Sequence, residues 1–192
     1  KETKRTPYAP FTTSTLQQEA SAKLHFSAKQ TMMLAQQLYE KGFISYMRTD
    51  SLNLSEESLR MAKEVIMESF GQNYSLDQPR RFKTKSKGAQ EAHEAIRPTD
   101  PKKGPLATKD SLDDKQHGLY DFIWKRFIAC QMPSAVFDSV TADITANDFI
   151  FRANGSVVKF DGWLKVYPVK FSENLLPKIS EGEILDLVKL ST

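Results

Sequence analysis

The stretch Gly42-Phe43-Ile44-Ser45-Tyr46-Met47-Arg48-Thr49-Asp50-Ser51 sets a phenol and a guanidinium two residues apart, beside polar turn formers. In an extended segment side chains alternate faces, so Tyr46 and Arg48 are predicted on one side and Met47 and Thr49 on the other. A nucleophile and a phosphate-gripping cation then share a surface, which suits attack on a phosphodiester. A free phenol titrates near about 10, so Tyr46 needs cationic neighbours or a base to favour the phenolate. Arg48 offers a bidentate fork for the phosphate and positive charge for its non-bridging oxygens in the transition state. Taken alone, Tyr-x-Arg equally describes a half-buried strand with a surface charge.

Upstream of this stretch, Thr12, Thr13 or Ser14 can cap a short helix reaching Leu24. Ser27 can cap a second helix running to Lys41, with Gly42 as its terminator. On the second helix Ala28, Met32, Ala35 and Tyr39 fall near one face, beside Thr31, Leu34 and Leu38, which predicts burial over a wide arc and assigns Tyr39 to packing. The pair, linked through His25-Phe26, has the outline of a helix-turn-helix, with the predicted role of supporting the Tyr46 segment. Downstream, Ser55 caps a third helix with Glu56 and Glu57 in its first turn and Met61, Val65, Ile66 and Phe70 as its stripe. Its N-terminus either favours a phosphate or is occupied by those glutamates. A last long helix from Asp113 to Met132 carries Tyr120, Ile123, Phe127 and Cys130 on one face, widened by Leu119, Phe122 and Trp124, and reads as core.

From Val136 the period changes to two, with Val140, Ala142 and Ile144 alternating with polar residues. Asn154-Gly155 is predicted as a two-residue hairpin turn between Phe149-Ile150-Phe151 and Val157-Val158-Lys159-Phe160, and Gly182 to Val188 as another strand. The fold class is therefore α+β: a helical domain over residues 1–133 and antiparallel strands over 134–192, with the boundary near Pro133.

The net charge of +3 is unevenly spread, at +5 over residues 1–133 and −2 over 134–192. Arg80, Arg81, Lys83, Lys85 and Lys87 follow one another without an acidic residue among them, flanked by Pro79 and Gly88. Such a run is either a solvated loop or a basic loop near a phosphate backbone. Cys130 is the single cysteine, which excludes an internal disulfide and a cysteine-rich zinc site. No apolar run approaches the roughly 20 residues that span a bilayer, and Lys1 to Pro10 is too polar for a secretory h-region. The expected location is the cytoplasm, with no membrane partner.

His93-Glu94-Ala95-Ile96-Arg97-Pro98 is the second constellation. If it is helical, His93 and Arg97 are four apart, face the same way and can contact phosphate or sugar, with Pro98 ending the turn. A surface or capping histidine, and an Arg97 paired with Glu94 or Glu91, are the plainer alternatives. The acidic residues Asp110, Asp113, Asp114, Asp138 and Asp143 read as helix-start and strand-end residues, and no metal site is predicted.

The ten residues from Gly42 to Ser51 closely resemble the active-site segment of type IA DNA topoisomerases. The resemblance extends from Pro10-Phe11-Thr12-Thr13-Ser14-Thr15-Leu16-Gln17, through Gln90-Glu91-Ala92-His93-Glu94-Ala95-Ile96-Arg97-Pro98-Thr99, to Phe160-Asp161-Gly162-Trp163, and Met47 resembles the bacterial DNA topoisomerase I branch. It implies that Tyr46 attacks one DNA strand and becomes joined to its 5′ phosphate, that Arg48 is catalytic and DNA-binding, and that His93 lines the DNA site. Arg97 is carried over as a DNA-binding candidate. The implied partners are single-stranded or negatively supercoiled DNA and the remaining domains of the same protein. Magnesium is implied for the intact enzyme, bound by an acidic domain whose pattern this chain lacks, so the chain is expected to be an inactive fragment ending in part of a β arch. Two other classes compete. A non-catalytic single-stranded nucleic-acid-binding module gives Tyr46 no role, and a tyrosine recombinase places its histidine and arginines before its tyrosine, the reverse of the order here.

Overall fold

Each long helix starts at a cap residue that the sequence supplies. In the computed structural model, which describes residues 1–83, 93–169, 174–186 and 188–189, the order is β1 (Glu2–Arg5), α1 (Thr13–Leu24), α2 (Ala28–Glu40), α3 (Glu56–Phe70), α4 (Pro105–Thr108), α5 (Asp114–Cys130), β2 (Ala135–Ala146) and β3 (Phe149–Phe160). Thr12 and Thr15 form a capping box on α1, Ser27 and Ser55 cap α2 and α3, and Asp113 and Gln116 form a second box on α5. His25, at φ 58°, ends α1, and Gly42, at φ 76°, turns the chain after α2.

The core lies around α5, whose Leu119, Tyr120, Ile123, Phe127 and Ile128 are buried against Leu16 and Ala20 of α1, Leu34 and Leu38 of α2, and Val65 and Ile66 of α3. Each such apolar side chain contributes about 1.5–3 kcal/mol on burial. Two polar tips inside this core are satisfied: the Tyr120 hydroxyl donates to Lys103 O at 2.6 Å and Trp124 Nε1 to Pro101 O at 2.8 Å. Burial pushes the Cys130 thiol up to about 12, so it stays an uncharged packing group. Among the described residues no helix is long and apolar enough to cross a membrane.

The sheet is antiparallel in the order β1-β2-β3. Glu2 to Arg5 pair with Asp138 to Ala135, so the edge strand is a polar segment without a strand pattern of its own. The hairpin turn is not at Asn154-Gly155. Ala146 pairs with Phe149, which leaves Asn147-Asp148 as the turn, with Asn147 in the left-handed region at φ 51°. Asparagine tolerates that region because its short side chain bonds locally. Gly155 lies inside β3, where a Cβ would stand 2.9 Å from Asn174 O. The missing side chain admits a crossing segment, and Ser156 bridges Asn174. The expected strand from Gly182 is also absent over Gly182–Asp186, because no neighbouring strand supplies ladder bonds there among the described residues; Leu187 lies outside the described residues.

Phe160 to Trp163 fasten the sheet to the helices. Trp163 N donates to Pro133 O at 3.1 Å and Trp163 Nε1 to Arg5 O at 2.9 Å, while Tyr74 Oη donates to Asp161 at 2.7 Å. Gly162 adopts φ 51°, and a Cβ there would stand 2.6 Å from Pro133 O. At the other side of this joint, Arg80 Nη1 donates to Cys130 O at 3.0 Å and Met132 O at 2.8 Å, capping the carbonyl end of α5. Arg80 is therefore a structural cap, not part of a free basic loop. Arg81 pairs with Glu56 at 2.6 Å, and Lys85 and Lys87 lie outside the described residues.

Candidate functional site

Three separated segments are laid side by side around Tyr46. Phe11 bridges Ile96 and Ile44 bridges Pro98. The joining hydrogen bonds run from Ile96 N to Phe11 O, Ala95 N to Asn53 O and Ser45 N to Arg97 O, each 2.8 Å. Ser45 Oγ completes the seam, donating to Ala95 O at 2.8 Å and accepting from Arg97 N at 3.0 Å. Because the amides of residues 95 to 97 are spent on neighbouring segments, none is left for a helix, and residues 93 to 97 are not helical. The expected four-residue pairing of His93 and Arg97 on one helical face does not form.

Thr13, the first residue of α1, anchors the chain just after Tyr46. Its hydroxyl donates to Met47 O at 2.7 Å and accepts from Thr49 N at 2.9 Å, and its own amide donates to Thr49 O at 2.9 Å. Met47 and Thr49 are buried while Tyr46, 47% exposed, and Arg48 are exposed, as expected from sequence, but the segment is not an extended strand: it bends at Met47 and Arg48, and Ile44, two residues before Tyr46, is buried. Arg48 makes no hydrogen bond or ion pair among the described residues, which leaves its fork available.

Two depressions meet here. One, of about 260 Å³, is lined by Ser45, Tyr46 and Glu94. The other, of about 360 Å³, is lined by Arg48, Asp50, Ser14 and Gln17. Thr49 and His93 line both, so His93 stands where the Tyr46 side joins the Arg48 side. An extended chain laid across both would meet the phenol, the imidazole and the guanidinium in turn.

Arg97 is turned away from this surface. Its Nη2 and Nε donate to Glu94 Oε2 at 2.6 and 3.2 Å, its Nη1 donates to Pro98 O at 2.9 Å, and its side chain is 13% exposed. Glu94 Oε1 also accepts from Ser55 N at 2.6 Å. Burial raises the Glu94 carboxyl, but the hydrogen bonds from Arg97 and Ser55 outweigh it, and the net position is below the ordinary 4.5. Glu94 thus ties the cap residue of α3 to the His93 segment. The acidic group at the start of α3 is supplied by Glu94 from another segment, in addition to Glu56 and Glu57 of its own first turn.

Several residues of this arrangement had only generic signals in the sequence. Thr13 reads in the sequence as a helix-cap candidate, and Ser45 carries no signal there of its place in the seam. Tyr39 was assigned to packing, yet it is 41% exposed and its ring meets that of Tyr46 edge-on, with centroids 5.3 Å apart and planes at 66°. The buried face of α2 is made by Thr31, Leu34, Ala35 and Leu38 instead. Among the described residues no group of three or more histidine, cysteine, aspartate or glutamate side chains is placed to hold a metal ion. The described residues therefore do not fit a magnesium site.

The family model described as "DNA topoisomerase" matches residues 1–192. The chain is 51% identical over 190 residues to DNA topoisomerase 1 of Haemophilus influenzae, covering 97% of the chain and 22% of that protein. It is 47% identical over 194 residues to DNA topoisomerase 1 of Escherichia coli, covering 100% of the chain and 22% of that protein. Among solved structures, full-length topoisomerase I from Thermotoga maritima superposes with a TM-score of 0.83 at 37% identity, over 95% of this chain and 30% of the other. The chain thus spans only 22% of the length of these curated relatives.

Proposed function

Because the chain belongs to the DNA topoisomerase family, we propose that it carries the nucleophile of a bacterial type IA enzyme that cleaves and rejoins one DNA strand and relaxes negatively supercoiled DNA in the cytoplasm. The observation that carries this reading is that Tyr46 and Arg48 are both exposed while Met47 and Thr49 are buried, and that His93 lines both the depression at Tyr46 and the one at Arg48.

Tyr46 Oη attacks phosphorus, the bond to the 3′ oxygen breaks, and a 5′-phosphotyrosine forms; the proton lost by the phenol is balanced by the one taken up by the 3′ oxygen. The reverse attack by the 3′ hydroxyl restores the strand and the phenol. One phosphodiester is exchanged for another, so no high-energy cofactor is consumed. Arg48 grips the non-bridging oxygens through its unengaged fork, where charge builds as the fifth bond forms. His93 contacts the phosphate or sugar between them. Arg97 belongs to the DNA site by holding, through Glu94, the segment that presents His93. Protonation of the leaving group and the magnesium that the family resemblance implies fall to parts of the longer protein outside this chain.

The test is to incubate the full-length protein with labelled single-stranded DNA, denature it, and map the linked peptide. The expected adduct is on Tyr46. An adduct on Tyr8, Tyr39 or any other residue refutes the assignment, and a Tyr46→Phe protein that keeps every DNA function would favour a non-catalytic binding module. The 192-residue chain alone is expected to bind single-stranded DNA weakly, with affinity falling as salt rises, and to relax no supercoiled plasmid.

A further inference from the structure

We propose that Tyr39 is a positioning residue for Tyr46, holding the nucleophile's ring in the orientation from which it attacks; this rests on the assignment of Tyr46 above. The turn after α2 creates the contact. Gly42 N donates to Tyr39 O and Phe43 N to Leu38 O, both at 2.8 Å, and Gly42 at φ 76° reverses the chain so that residues 39 and 46 meet. Burial of Ile44 and Met47 fixes the backbone on either side of Tyr46, but not its side chain. Among the described residues the Tyr46 ring has one aromatic neighbour, Tyr39, and its hydroxyl has no hydrogen-bond partner.

A half-exposed phenol without a neighbour samples several rotamers, and only one points its oxygen at a given phosphate. An edge-to-face partner at 5.3 Å favours the rotamer that makes the contact. Tyr39 is not needed for the core, since it is 41% exposed and the buried face of α2 is complete without it. Its hydroxyl also lacks a partner among the described residues, so the ring is the part that acts. An aromatic pair of this kind shifts a conformational equilibrium by about two- to twelvefold.

The experiment uses the full-length protein with Tyr39→Phe and Tyr39→Leu, measuring the single-turnover rate of covalent adduct formation on labelled single-stranded DNA at saturation. DNA affinity is measured separately in a Tyr46→Phe background, and 3-fluorotyrosine at position 46 reports the ring environment by fluorine NMR. The leucine variant is expected to slow adduct formation by about two- to twelvefold at unchanged affinity and to move the fluorine resonance. The phenylalanine variant should restore both. Full rate in Tyr39→Leu, equal losses in both variants, or a loss confined to affinity overturns the proposal. Mapping the parent adduct separates the two assignments: an adduct away from Tyr46 removes the premise, whereas an adduct on Tyr46 with full rate in Tyr39→Leu refutes the positioning role alone.

Discussion

Replacing Glu94 by glutamine tests whether the His93 segment is held by charge. In the parent protein one carboxylate oxygen accepts from Ser55 N at 2.6 Å and the other accepts two bonds from Arg97, whose side chain is 13% exposed. Glutamine keeps an oxygen for Ser55 but turns an NH₂ toward the guanidinium, so the charged pair is lost and Arg97 is left poorly matched. Hydrogen bonds to charged groups contribute about 1.5–3 kcal/mol, and for a domain of this size each 1 kcal/mol moves Tm by about 2–4 °C. Glu94→Gln should therefore lower Tm by about 3–12 °C at pH 7. The sign with pH follows from the lowered carboxyl. Its stabilisation is fully present above the ordinary 4.5 and is lost as pH falls through the lower folded value. The gap between parent and variant, followed by thermal and urea melts from pH 7 downward, should hold constant and then close below 4.5. A gap that persists unchanged through that acid range, or no gap at pH 7, refutes the argument.

Arg48→Lys in the full-length protein should slow single-turnover cleavage by about 10- to 150-fold, because a point charge loses the bidentate fork; cleavage at the parent rate would mean that charge alone suffices. Arg80→Gln should lower the urea midpoint, since two carbonyls at the end of α5 lose their donor, while the salt dependence of single-stranded DNA binding stays unchanged. A salt slope reduced by about 1 would instead assign Arg80 to a phosphate. Gly162→Ala should cost at least about 1–2 kcal/mol from the left-handed backbone alone, with more from a methyl 2.6 Å from Pro133 O; an unaltered urea midpoint contradicts this.

Local chemistry was legible where it depends on near neighbours in the chain. Thr12, Ser27, Ser55 and Asp113 cap helices because a side-chain oxygen reaches an amide two or three residues on, and Tyr46 and Arg48 are exposed while Met47 and Thr49 are buried, as their residue types suggest. The β pairing was less legible, because ladder bonds join residues far apart. Glu2 to Arg5 carry no strand signal and become one through β2, while Asn154-Gly155 carries a turn signal that is overruled by the register of Ala146 with Phe149. The candidate site divides in the same way. Its residue types were set by sequence alone: a phenol and a guanidinium in one motif and an imidazole in another. Only the tertiary structure placed His93 between Tyr46 and Arg48, withdrew Arg97 onto Glu94, spent Arg80 on the end of α5, and set the Tyr39 ring against Tyr46. Those outcomes depend on which amides, carbonyls and rings meet after the chain has folded back, and one-dimensional spacing does not encode such distances.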